Sequence, residues 1–155
     1  MNILLVYPEF PDTFWSFNYA VSFIGKKAAF PPLGLLTVAA LLPPEWSKRL
    51  VDTNVERLSD TDLLWADIVF MGGMTVQRES ACRIIDRCLA FSVPLVCGGP
   101  LFTAEPEQFR AVDHLVLDEA ELTLPLFLSD LKKGRAKKIY RAGGFSDLGE
   151  TPAPL

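Results

Sequence analysis

Residues 67–99 read DIVFMGGMTVQRESACRIIDRCLAFSVPLVCGG, and this stretch decides the fold. Two short apolar runs, 67–71 and 94–97, each close on a glycine pair, Gly72-Gly73 and Gly98-Gly99. Neither run alternates polar with apolar residues, which suits strands covered on both faces of a parallel sheet. Between them, residues 77–90 supply Arg78, Glu79, Arg83, Asp86 and Arg87 for the wet side of an amphipathic helix. Strand, helix and strand in that order form a crossover unit, from which parallel α/β sheets are built.

The same rhythm extends in both directions. Residues 2–7 (NILLVY) form another doubly apolar run, predicted as an interior strand. Residues 48–52 predict a short strand, and residues 60–66 a short helix with Ser59 or Asp60 as its N-cap. Downstream, residues 106–111 predict a short helix, 113–117 a strand, and 119–133 a helix stopped by Gly134. Residues 137–140 are expected at an edge of the sheet or outside it. Residues 32–43, PLGLLTVAALLP, begin with a proline suited to a first helical turn and are apolar nearly all round. That helix is therefore expected to be well buried. The connection 8–32, rich in Pro, Phe, Trp and Gly, is long enough to be a functional loop or lid.

The alternation predicts an α/β fold: a doubly wound parallel sheet of five strands with helices on both faces. Such sheets bind ligands outside the carboxyl ends of their strands, at the point where strand order reverses. The loops after Tyr7, Asp52, Met71, Cys97 and Leu117 are the ones that matter. Glycine lets a backbone approach a ligand closely or take a positive φ, and two glycine pairs fall at this predicted edge. A simple turn of the chain explains either pair equally well.

Composition narrows the function. With 155 residues, 50% of them hydrophobic and 22% charged, the chain is one domain with apolar surface enough to order itself. A net charge of -4 and a pI near 5.0 offer no field that attracts nucleic acid or an anionic membrane, and neither is expected as a partner. The run KKGRAKKIYR at 132–141 holds six of the fifteen basic residues. It reads as a solvated helix end with an edge strand, or alternatively as a docking surface for a partner domain.

Residues 1–7 lack a basic flank and a cleavage site, so no signal peptide is expected, and no apolar run reaches the roughly 18–20 residues of a membrane span. With three cysteines, an odd number, the chain is expected in the cytoplasm with reduced thiols. Cys82 and Cys88 stand six apart, about 240° around a helix, and cannot form a metal pair. His114, alone in an apolar run, reads as structural rather than as a metal ligand.

Familiar chemistries are missing. There is no GxGxxG, no GxxxxGK[ST] and no GxSxG. The third strand ends in FMGG rather than a phosphoacceptor aspartate, and PEFPDTFW is no hydroxyl-rich phosphate loop. No general acid–base pair stands out, and no catalytic residue is expected in this chain.

The order NILLVYP, FPPLGLLTVAALL, RLVDTNVE, ADIVFMGGMTVQ, VPLVCGGPLFTAEPE, HLVLDEAELTLPLFLSDL and TPAPL resembles the N-terminal cobalamin-binding domain of B12-dependent radical SAM proteins. The resemblance spans essentially the whole chain. It implies a flavodoxin-like, Rossmann-like sheet ordered 2-1-3-4-5, with the corrin on its carboxyl edge and the nucleotide tail inserted into the domain. It implies cofactor contacts at Tyr7 and Pro8 after the first strand, and at Leu33 and Gly34 in PPLGL. Thr75, Val76 and Gln77 follow after the third strand, with Thr75 as the hydroxyl that bonds the tail. Gly98 and Gly99, followed by Pro100, would let the tail pass. Glu119 falls in DEAE, where the family has G-E-x-E and this chain has Asp118 in place of the glycine.

The family's D-x-H-x-x-G motif is absent, which implies no histidine ligand to cobalt from this domain. The cysteine triad CxxxCxxC is absent too, so the iron–sulfur cluster and S-adenosylmethionine are assigned to a C-terminal radical SAM barrel. Residues 1–142 are expected to form the cobalamin-binding domain and 143–155 the linker toward that barrel. The expected function is to hold the corrinoid for methyl transfer or related radical chemistry. The alternative is a domain of the same fold that binds no cofactor and serves as an interaction module, with Phe14, Trp15, Phe17 and Tyr19 as its docking surface.

Overall fold

A computed structural model describes residues 1–11, 31–147, 149 and 151–155. Most of the connection predicted at 8–32, including its aromatic residues from Phe14 to Tyr19, lies outside the described residues. The described elements are β1 (Asn2–Tyr7), α1 (Leu33–Leu41), β2 (Ser47–Asp52), α2 (Asp60–Trp65), β3 (Ile68–Gly72), α3 (Arg78–Ala90), β4 (Leu95–Gly98), α4 (Pro100–Ala104), β5 (His114–Val116), α5 (Ala120–Lys132) and β6 (Ile139–Tyr140). No helix among the described residues is long and apolar enough to cross a membrane.

All strand pairings are parallel, and the sheet order is β2-β1-β3-β4-β5-β6. The chain moves outward from β1 first to one side, then to the other, so the order reverses between β1 and β3. The expected five strands become six. Ile139–Tyr140 joins β5 in register, Leu115 against Ile139 and Val116 against Tyr140. Two residues suffice because Tyr140 is buried and its ring meets Phe127 edge-on at 5.6 Å. Its hydroxyl donates to Asp130 and accepts from the Lys137 N–H.

The doubly apolar character of the strands has a direct physical reading. Side chains alternate across a strand, so each strand serves two cores. On one face Leu4, Val6, Val69, Met71, Leu95, Cys97 and Leu115 pack with Leu63 of α2, with Ala81, Ile84, Ile85 and Cys88 of α3, and with Leu101 and Phe102 of α4. On the other face Ile3, Leu5, Ile68, Phe70, Val96 and Val116 pack with Leu35 and Ala39 of α1 and with Leu124 and Phe127 of α5. A doubly wound sheet is the result.

Three expectations need correcting. Helix α1 is not buried all round: Leu35 and Ala39 are buried, but Leu33 is 56% exposed and Leu36, Val38 and Leu41 are only half-buried. A single helix on a sheet face covers about half its circumference, whatever its composition. Residues 100–104, read as part of a loop, form α4, with Pro100 at its first turn. Residues 106–111 make only a 3-10 turn, Pro106–Phe109. By contrast, Ser59 caps α2 as expected, in a capping box: the Asp62 N–H donates to Ser59 Oγ at 3.2 Å, and the Ser59 N–H to Asp62 Oδ2 at 3.0 Å.

A candidate ligand cavity at the carboxyl edge

Because every strand runs the same way, their carboxyl ends share one edge of the sheet. There a cavity of about 630 Å³ opens between the sheet and helices α1 and α5. That volume is in the range of ordinary small-molecule and cofactor sites. Phe70, Val96 and Val116 form its floor, Leu35 and Val38 one wall, and Leu124 the other. Tyr7, Phe10, Met74 and the residues from Asp118 to Glu121 stand at its mouth. Among the described residues, the charged side chains that line it are Asp118, Glu119 and Glu121.

The glycines at this edge have different reasons to be glycine. A Cβ on Gly98 would lie 2.5 Å from the Val116 carbonyl oxygen, so its missing side chain makes room for the neighbouring strand. Gly99 has φ +89 and stands against the Gly73 backbone, 3.2 Å from Gly73 O to an ideal Cβ. Gly73 faces Phe102 and Leu101. Gly72 and Gly34 are unlike these: a Cβ on Gly72 would make ordinary contact with Leu35 at 3.8 Å, and one on Gly34 would meet nothing within 4 Å. Both line the cavity. They keep it wide, whereas Gly98 and Gly99 let the strands end close together.

The structure places the sequence-derived site residues in two groups. Tyr7, Leu33, Gly34, Gly98, Gly99, Pro100 and Glu119 come together around the cavity. Pro8, Thr75, Val76 and Gln77 are not part of its wall. Thr75 and Val76 are exposed, within the 3-10 turn Thr75–Gln77. Gln77 is 1% exposed, and its amide works inside the protein. Its Nε2 donates to the Pro8 carbonyl at 2.5 Å and its Oε1 accepts from the Met74 N–H at 2.9 Å. It ties the loop after β1 to the loop after β3, across the point where strand order reverses.

Two residues that sequence reading passed over complete this tie. Asn54 accepts from the Phe10 N–H at 2.8 Å and donates to the Pro8 carbonyl, while Ser80 Oγ accepts from the Glu9 N–H at 2.9 Å. Loop 8–10 is thus held by side chains from β2, β3 and α3 surroundings. Asn54 carried a readable signal, since Asp52-Thr-Asn directly after a strand makes an Asx turn, here Asn54 N–H to Asp52 Oδ1 at 2.9 Å. The held loop seats Phe10 edge-on against Tyr7, ring centres 5.9 Å apart. Burial raises the Tyr7 phenol above its ordinary pKa, opposed by Gln77 and reinforced by the Asp52 charge. The phenol therefore stays protonated at neutral pH.

His114 is the first residue of β5 and so lies toward the opposite, amino edge. Its Nδ1 is 2.7 Å from the Lys137 carbonyl, and its ring packs on Phe127 at 5.1 Å.

The chain is 42% identical over 156 residues to an uncharacterized methyltransferase of Synechocystis, covering 99% of this chain and 29% of that protein. It is 40% identical over 158 residues to a hopanoid C-2 methylase of Rhodopseudomonas palustris, covering 99% of this chain and 30% of that protein. An uncharacterized methyltransferase of Pyrococcus horikoshii is 29% identical over 171 residues, with 36% of its length covered. No family model matches the chain, and no solved structure does. Along its whole length, the chain is similar to roughly a third of longer proteins named as methyl-transferring enzymes.

Proposed function

We propose that this chain is the corrinoid-binding domain of a longer methyltransferase. Residues 1–142 form the domain, and residues 143–155 lead toward a radical SAM barrel that carries the iron–sulfur cluster and S-adenosylmethionine. The observation that supports this most is the cavity itself. It opens at the carboxyl edge of a doubly wound sheet, where such folds take their ligands. The walls are apolar and its depth reaches Phe70 and Val96, so they suit an inserted aromatic base.

The residues present fit the cofactor in kind. Gly34 and Gly72 leave width between α1 and the sheet for a nucleotide tail. Tyr7 and Phe10 offer an aromatic rim, and Glu121 offers acceptors to carboxamide N–H groups at the mouth. When bound, a corrinoid supplies the cobalt that carries the methyl group. The chain's own contribution is to seat it, shield its tail from water and fix its orientation.

The test is to mix the purified protein with hydroxocobalamin, and separately with cobinamide, which lacks the nucleotide tail, and then to desalt. Visible absorbance should travel with the protein for hydroxocobalamin and much less for cobinamide. Gly72→Val, which narrows the gap beside Leu35, should weaken uptake while leaving the circular dichroism unchanged. A folded but colourless parent protein would overturn the proposal in favour of a domain that binds no cofactor.

A further inference from the structure

Asp118 and Glu119 belong to two structures at once. Both line the cavity, and both hold the segment that leaves the sheet after β6. The Ala142 N–H donates to Asp118 Oδ2 at 3.3 Å, and Arg141 Nη1 lies 3.8 Å from Asp118 Oδ1. Ser146 Oγ donates to Glu119 Oε2 at 2.9 Å. Arg141 also reaches the Thr103 carbonyl at 3.4 Å, while Thr103 Oγ1 accepts from the Asp118 N–H at 3.0 Å. Among the described residues, these are the polar contacts that tie 141–147 to the body of the domain. The rest of that segment is mostly open to solvent, Phe145 being 94% exposed.

The backbone at this point is unusual. Asp118 has φ +63, a left-handed conformation that side chains other than glycine's rarely adopt. Such a residue persists where its surroundings hold it, and such positions concentrate at ligand sites and switch regions. Here Thr103, Arg141 and Ala142 hold it. Immediately afterwards Glu119 caps α5, its carbonyl accepting from the Thr123 hydroxyl and N–H.

We infer that Asp118 and Glu119 are positioning residues that couple occupancy of the cavity to the order of residues 141–147. This rests on the reading that a corrinoid fills the cavity. With the segment docked, both carboxylates are drawn toward Arg141, Ala142 and Ser146, and the turn stays flat against the wall. With the segment released, the same carboxylates are free to swing into the mouth, and the strained turn loses its support. A ligand in the cavity binds the docked state better. By reciprocity, docking then tightens ligand binding by the same factor by which the ligand favours docking. In the longer protein proposed above, filling the cavity would set the direction in which the chain leaves this domain.

The test leaves the cavity wall untouched. Arg141→Ala combined with Ser146→Ala removes two of the segment's holds without changing any lining residue. Hydrogen exchange across 141–147 is followed by mass spectrometry with and without hydroxocobalamin, and cobalamin affinity is measured for both proteins. In the parent, cobalamin should slow exchange in this peptide about 5-fold or more, the lower end of typical coupling between sites. In the double variant that slowing should vanish, and affinity should fall by a matching factor. If cobalamin binds both proteins equally and leaves the peptide's exchange unchanged, the coupling is refuted and the corrinoid reading stands. If the parent binds no cobalamin, both fall together.

Discussion

Gly72 and Gly98 face one another as the last paired residues of the adjacent parallel strands β3 and β4. The two are not equivalent. Gly98 gives up its side chain to the Val116 carbonyl on its other side, while Gly72 leaves space beside Leu35 at the cavity wall.

This asymmetry predicts opposite outcomes for the same substitution. Gly98→Ala forces a Cβ to within 2.5 Å of a backbone oxygen that cannot move away alone. It should destabilise the ligand-free protein by about 1–3 kcal/mol, the usual cost of overpacking. Gly72→Ala should be neutral, or stabilising by up to about 1 kcal/mol, because it restricts the unfolded chain and meets only an ordinary contact. Denaturation midpoints in urea measure both, and equal losses would contradict the assignment.

Gln77 should prove important to stability although it does not itself line the cavity. In Gln77→Leu the Met74 N–H loses its partner, and the Pro8 carbonyl keeps only Asn54. A typical intramolecular hydrogen bond is worth about 0.5–1.5 kcal/mol net, and the variant, losing two, should fall by about 1–3 kcal/mol. Amide exchange at Glu9 and Phe10 should quicken at the same time. A variant as stable as the parent would show that Asn54 and Ser80 hold the loop by themselves.

The N-cap of α2 carries a pH signature. The Ser59 hydroxyl is the main group holding the Asp62 carboxyl below its usual pKa, against partial burial. Because the folded pKa is depressed, the stabilisation is present above the unfolded value near 4 and is lost as pH falls through the folded pKa. Ser59→Ala should cost about 0.5–2 kcal/mol at pH 7, and the gap between variant and parent should narrow at pH 3. Unfolding in urea at the two pH values checks this, and a gap that widens in acid would contradict it.

The three thiols should separate cleanly by reactivity. Burial pushes Cys88 up to about 11, and Cys97 well above its ordinary value, so both stay protonated and enclosed. Cys82 is exposed on α3. Iodoacetamide at pH 8 should add one carbamidomethyl group to the native protein, at Cys82, and three after denaturation. A second adduct in the native state would mean that the core around β4 opens readily.

Runs such as NILLVY, DIVFM and PLVC were enough to announce a parallel sheet with two covered faces, because alternating side chains in such strands must all be apolar. Ser59, Gly134 and the helix of residues 78–90 were equally legible, since capping and amphipathicity are local. What the sequence by itself determined, then, was the alternation of strands and helices along the chain and the edge at which the cavity opens. The tertiary structure alone decided the rest. Whether Ile139–Tyr140 joins the sheet depends on the ring contact of Tyr140 with Phe127, 13 residues earlier in sequence. How much of α1 is covered depends on what surrounds it, not on its own residues. Why each glycine is glycine depends on whether a neighbouring strand, an aromatic ring or open space stands where its Cβ would be. Gln77, which the resemblance gives as a cofactor contact, shows its internal role only once the reversal of strand order brings Pro8 within reach. Local pattern sets what each segment is; distances between segments far apart in sequence are set only when the two cores close.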